Sequence, residues 1–208
     1  MTNEFTPQEV ADLAGAPRWT VEKAIEQNVL APDHGKRGGR RRRRLLPLYA
    51  VAYVKIINRV KLRLDLQMKR RLARVLEALG ARDFRATRIE LTTAVELDVG
   101  RLVGDAVDRA ERYGAERDAR IVECGGQTKG EPFIRGSGVS VYALAERLAG
   151  GQSVTDIQID HPELSCAAIE AADIYARAHP PLGAPPRAMR KAPQARPLGR
   201  ARSRRTFP

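Results

Sequence analysis

Cysteine, histidine and aromatic residues are scarce in this 208-residue chain. The two cysteines, Cys124 and Cys166, have no CxxC spacing, which argues against a zinc site and gives no disulfide framework. They read as small buried thiols in a reducing compartment. The three histidines, His34, His161 and His179, fall at no helical spacing to a carboxylate pair or to a cysteine, so no catalytic residue, metal site or cofactor is expected and the chain reads as a non-enzyme. Aromatics make up 5% of the residues, leaving small cores of Leu, Val, Ile and Ala. No apolar run approaches the ~18 residues of a membrane span. The start, MTNEFTPQEV, lacks a basic n-region and an apolar h-region, so a cytoplasmic chain without a membrane partner is expected.

What is abundant is positive charge, and it is unevenly placed. The formal net charge is +12. Lys36, Arg37 and Arg40 to Arg44 contribute +7, and the segment from Arg187 to Arg205 contributes +8 with no acid. The remainder is therefore mildly acidic, at −3. Basic patches of this density recruit polyanions through counterion release, and five consecutive arginines repel one another in the absence of such a partner.

Residues 6–28 read as two short helices around a turn. Thr6 takes the N-cap position, Pro7 the first helical position and Glu9 the third, which is a capping box with proline where its missing N–H costs nothing. Val10, Leu13 and Ala14 form one apolar face. Gly15-Ala16-Pro17 breaks the helix, and a second follows with Val21, Ala24 and Ile25 inward and Arg18, Trp19, Glu22 and Lys23 outward. Short apolar flanks, Val29-Leu30 and Leu45-Leu46, then bracket a Gly- and Arg-rich tip, predicting two strands and a basic loop. Such a wing lies along phosphates beside the groove that the second helix enters. The DNA contacts predicted from this pattern are Arg18, Trp19, Thr20, Lys23, Lys36, Arg37, Arg40, Arg41, Arg42, Arg43 and Arg44, with Thr20 either a base contact or a helix-packing residue.

The string from Phe5 to Pro32 and the LPLYAVAYVKII that follows the arginines resemble the MerR-type winged helix-turn-helix family, over about residues 4–60. Glu9-Val10-Ala11, Gly15 with Thr20, and Leu30 with Pro32 carry the resemblance. Two positions depart from the family pattern. Asn28 replaces a usual glycine, and Glu22 stands where a basic residue is common; a carboxylate there would repel phosphates.

Further along, residues 61–79 predict an amphipathic helix with Leu62, Leu66, Lys69, Leu72, Val75, Leu76 and Leu79 in helical period, a core or dimer helix. Residues 85–99 read as a strand or hairpin, and 100–119 as another helix. The stretch GEPFIRGSGVSVYALAERLAGGQSVTDIQIDHPELSC opens with Gly130, Pro132, Ile134, Arg135 and Gly136. It lacks GK[ST], so a phosphate-cradling loop is disfavoured and a structural corner is expected, with the Arg135 guanidinium donating to loop carbonyls. Gly150-Gly151 ends one helix, and Ser153 and Ser165 cap the next two. Residues 121–178 resemble the family catalogued as domain of unknown function number 433. That resemblance implies a small helix-turn-helix-like module and an antitoxin role beside toxins with PIN-type nuclease folds.

From Pro180 onward there are seven prolines and no apolar periodicity, so the segment lacks the apolar surface to order alone. It is either a basic tail that adds nonspecific DNA affinity or, given the antitoxin resemblance, an extended arm that wraps a toxin. In the second case a guanidinium inserts among the metal-binding carboxylates. The candidates are Arg196, Arg200, Arg202, Arg204 and Arg205, with Leu198 and Phe207 as apolar anchors.

The expected fold is mainly α with short strands. Its expected parts are a DNA-binding domain (1–60), connecting and dimerising elements (61–120), an antitoxin-type helical module (121–182) and a basic tail (183–208). The expected function is that of a homodimeric, VapB-type antitoxin that neutralises a PIN-like ribonuclease toxin and represses its own operator. The alternative is a stand-alone MerR-like regulator.

Overall fold

The computed structural model describes residues 4–35, 43–60, 64–84, 87–92, 95–123 and 131–181. These residues are mainly helical, with short antiparallel strand pairs. Strand β1 (Glu4–Phe5) leads into helices α1 (Pro7–Ala14) and α2 (Arg18–Glu26), then β2 (Asp33–Gly35) and β3 (Arg43–Pro47). Next come α3 (Leu48–Arg59), α4 (Leu66–Asp83), the hairpin β4 (Arg88–Thr92) and β5 (Val95–Asp98), and the long α5 (Val99–Arg120). The chain continues through β6 (Ile121–Glu123), β7 (Pro132–Ile134), α6 (Val141–Ala149), α7 (Val154–Asp160) and α8 (Cys166–Ala178).

Local chemistry sets the first elements. Thr6 and Glu9 form the reciprocal capping box at the start of α1, with Pro7 inside it. Gly15 ends the helix in the left-handed region, φ 63°, where its N–H and that of Ala16 reach back to the carbonyls of Asp12 and Ala11; a Cβ makes that conformation costly. The Asn58 side-chain amide donates to the Gly15 carbonyl at 3.0 Å and braces the turn. Asn28 sits at φ 51°, the one non-glycine residue at positive φ among those described. The position has a left-handed backbone, and asparagine tolerates it better than most other non-glycine side chains do.

That turn also moves the first strand of the wing. Val29 and Leu30 are not a strand: their N–H groups bond back to the Ala24 carbonyl and their side chains are buried. The strand starts after Pro32, at Asp33, and pairs His34 with Arg44 and Gly35 with Arg43; β1 pairs on the other side of β3, giving the order β1-β3-β2. The tip residues Lys36, Arg37, Arg40, Arg41 and Arg42 lie outside the described residues.

The core runs without interruption from Phe5 to Tyr175. Helix α3 is its axis: Leu48, Val51, Ala52, Val54 and Ile56 are all buried, each large one worth roughly 1.5–3 kcal/mol. Helix α5 packs across it and also touches α1 and α8. Val99, Val103, Ala106, Val107, Ala110 and Tyr113 form its buried stripe. Helix α4 begins at Leu66, later than the apolar period predicts, because the Asp65 side chain caps it by accepting from the Met68 N–H. Leu72, Ala73 and Leu76 are buried, with α4 packed on α3. The strand or hairpin expected over residues 85–99 is the hairpin β4–β5, placing Ile89, Leu91 and Leu97 inward.

The Gly-Pro-Arg-Gly corner joins β7 to α6. Gly136 lies at φ 88°. The turn is closed by backbone: Gly138 N–H to Ile134 O, Ile134 N–H to Val139 O, and Arg135 N–H to Arg120 O at 2.8 Å. The Arg135 side chain itself is exposed, so it is the peptide group at this position, not the expected guanidinium, that ties the corner to α5. Ser140, Ser153 and Ser165 each cap the helix that follows. Cys166, expected buried, is exposed at the first position of α8; the first turn after a serine cap faces solvent here, and the core face starts at Ala168 and Ile169. No described helix is long and apolar enough to cross a membrane.

Candidate nucleic-acid interface

Helix α2 buries only Val21 and Ala24. Ile25 packs partly buried against the core beside them, and the outward face carries Arg18, Trp19, Glu22, Lys23 and Glu26. Trp19 is 65% exposed. An indole so placed leaves a large apolar area and an N–H donor in water, which is what recognition surfaces use and folding does not favour. Thr20 is half-buried and lines a shallow groove of about 270 Å³ with Lys23, Gln27, Tyr53, Asn58 and Lys69. The end of α2 is held from α4, where the Arg70 guanidinium donates to the Gln27 carbonyl at 3.0 Å and its charge complements the negative end of the helix dipole. The C-terminal end of α2 is thus fixed by a neighbour, and its outward face stays open.

From the sequence alone, Glu22 argues against phosphate binding. In the fold its carboxylate is occupied. Arg18, one turn earlier, donates through Nε and Nη2 at 3.2 and 3.1 Å. Arg44 of β3 meets the other carboxylate oxygen at 3.1 Å. Arg44 lies on the same face of β3 as the buried Leu46; past the edge of the core that face meets α2. The pair therefore staples the root of the wing to the helix, and the local charge is one excess positive, not negative. Arg43 opens β3, in register with Gly35.

A second carboxylate cluster has no counterpart among the sequence expectations. Glu9 is 1% exposed. Its side chain accepts from the Thr6 N–H at 2.6 Å, from the Tyr113 hydroxyl, and from Arg117 Nη1 at 3.4 Å, with His179 Nε2 also at 3.4 Å. Burial opposes ionisation, but the His179 ring, the Arg117 guanidinium and the Tyr113 hydroxyl together outweigh it and hold the Glu9 pKa down at about 2. Arg117 also donates to the Glu4 carbonyl at 2.9 Å and lies over the rings of Phe5 and Tyr113 at 5.5 Å. The Tyr113 hydroxyl is pushed above its ordinary value by burial and by Glu9. The His179 ring stacks on Tyr175 at 4.4 Å. This cluster ties α1 to α5 and to the end of α8, beyond which the basic C-terminal segment follows. From sequence Glu9 reads only as a capping residue; its partners are 104, 108 and 170 positions away, and no local signal connects them.

The C-terminal helices have a different surface. Residues 131–181 carry seven acids against three arginines. The tail candidates Arg196, Leu198, Arg200, Arg202, Arg204, Arg205 and Phe207 lie outside the described residues. Among the described residues, no three of His, Cys, Asp and Glu come together as metal ligands.

Residues 124–176 match the family described as a protein of unknown function (DUF433). The match takes in the β7–α6 corner and helices α6, α7 and most of α8. No curated protein and no solved structure matches the chain.

Proposed function

We propose that the chain is a DNA-binding antitoxin: its N-terminal end binds operator DNA as part of a homodimer, and its C-terminal helices and tail neutralise a PIN-like ribonuclease toxin. The observation that carries the DNA half is the open face of α2, with Arg18, Trp19 and Lys23 outward, stapled through Arg44 to the strand that leads out of the arginine run. A helix presenting such a face beside a basic hairpin suits a major groove flanked by phosphates. The acidic surface of residues 131–181 repels DNA, which favours assigning DNA to the N-terminal end and a protein partner to the C-terminal one. The antitoxin half rests on the resemblance of residues 121–178 and on the tail, whose +8 of charge suits a nuclease site built from carboxylates.

Co-expression of the tagged chain with the product of its adjacent gene, followed by mass determination and a ribonuclease assay, tests the reading. A stable complex with silenced ribonuclease activity is expected. Deleting residues 183–208 is expected to abolish neutralisation and to leave operator binding specific. Replacing Arg40 to Arg44 with alanine is expected to leave neutralisation intact and to flatten the salt dependence of DNA binding by about 0.9 in slope per lost phosphate contact. Equal loss of both activities in both variants would overturn the division of labour between the two basic segments.

A further inference from the structure

We propose that Glu22 is a specificity-determining residue, which restrains nonspecific DNA binding by holding Arg18 and Arg44 and reads an exocyclic base amino group on the right sequence. The inference rests on the reading that the outward face of α2 enters the major groove. Its basis is geometric. Glu22 sits mid-helix on the open face, its side chain is 25% exposed, and each carboxylate oxygen has a guanidinium at 3.1 Å. Both arginines are themselves exposed and occupy the two places from which a phosphate is reached, the first turn of α2 and the root of the wing. An exposed ion pair contributes little to folding, so the energetic consequence of this cluster falls on what the two guanidiniums do next.

A carboxylate only accepts hydrogen bonds. In the major groove the groups that donate are the N4 amino of cytosine and the N6 amino of adenine. On a matching sequence the base amino group takes a Glu22 oxygen and a guanidinium turns to the adjacent phosphate, so a base contact and a phosphate contact form together. On other sequences the guanidiniums stay with Glu22 and are withheld from the phosphates. Discrimination therefore comes from withheld affinity as well as from a new contact.

The test uses the full chain. A duplex enriched from a random library by the wild-type protein and a random-sequence duplex of equal length are the probes, titrated across salt. Glu22→Gln is expected to bind the random duplex on the order of tenfold more tightly at low salt, with its salt slope steeper by up to about 1.8, two contacts at ~0.9 each. Its preference for cytosine or adenine at one position of the enriched site is expected to relax. Glu26→Gln removes the same charge from the same helix one turn later without freeing Arg18 or Arg44, and its slope is expected to stay at the wild-type value. Combining Arg18→Gln with Glu22→Gln is expected to return about half of the gained slope.

If Glu22→Gln and Glu26→Gln change nonspecific affinity equally, with no change of slope, Glu22 is an ordinary surface charge and the inference is wrong. Unchanged base preference in the Glu22→Gln variant overturns the base-reading part. If the wild-type chain enriches no sequence and neither variant binds any duplex at low salt, the DNA reading of α2 itself fails and takes this inference with it.

Discussion

Glu9 and Glu22 lie one helix apart, and each is a glutamate held by arginine. Glu9 is sealed off by α5 and the end of α8; Glu22 faces water between α2 and the wing. The same chemical pair therefore does different work. In the buried cluster the partners come from elements over a hundred positions apart and pin them together, and the cost of taking the charges out of water is met only while every partner is present. In the exposed cluster water replaces any partner that leaves, so the pair is free to exchange. Burial converts an ion pair into architecture; exposure leaves it available for recognition.

The largest effect that would sharpen this contrast is the loss of Glu9. Glu9→Ala leaves the guanidinium of Arg117, whose side chain is 11% exposed, with Asp118 at 3.0 Å but without Glu9, and removes the acceptor of the Thr6 amide and of the buried Tyr113 hydroxyl. A loss of about 3–5 kcal/mol of unfolding free energy is expected, from the behaviour of broken buried pairs, read by urea denaturation. A loss below about 1 kcal/mol, the range of exposed pairs, would place Glu9 in the same class as Glu22 and dissolve the comparison.

Acid should act on the buried carboxylate. Glu9 titrates at about 2 in the folded chain against an ordinary value of 4.5. The folded value is the lower one, so the ionised carboxylate stabilises the fold fully above pH 4.5 and that stability drains away as pH falls toward 2. The drop across that window is about 3 kcal/mol. In the Glu9→Gln variant the same window is expected to be flatter by that amount.

Tyr113→Phe removes one hydroxyl from the buried cluster and leaves the ring against Phe5 and Arg117. A hydrogen bond to a buried charge is worth about 2 kcal/mol, and that loss is expected in thermal or urea unfolding. The variant also weighs the hydroxyl against the charged partners: a negligible change assigns the cluster's strength to the Arg117 guanidinium and the His179 ring.

The contrast also marks where sequence reading succeeds. The capping box at Thr6, the serine cap at Ser153, the hairpin of β4 and β5 and the break at Gly150-Gly151 are short-range devices, and residues close in sequence suffice to specify them. The open face of α2 is legible for the same reason, since one helical period separates Arg18 from Glu22. What is illegible depends on tertiary closure. Val29 and Leu30 are apolar enough to predict the first wing strand, but the left-handed turn at Asn28 sends them into the core. Arg44 reads as a phosphate contact, and nothing near it in sequence points to its tie with Glu22, 22 positions away. Glu9 reads as part of its cap, and the three partners that bury it come from α5 and the residue after α8.

The smallest expected effect bears most directly on the exposed member of the pair. Glu22→Gln is expected to change unfolding free energy by less than about 1 kcal/mol, because two water-exposed guanidiniums lose a partner that water replaces. A larger loss would mean that the Glu22–Arg44 staple supports the wing as Glu9 supports the core, and that α2 and the hairpin are one folding unit. A negligible loss, combined with tighter binding of random DNA, would separate the two glutamates completely: one whose removal is felt in folding and one whose removal is felt only when DNA arrives.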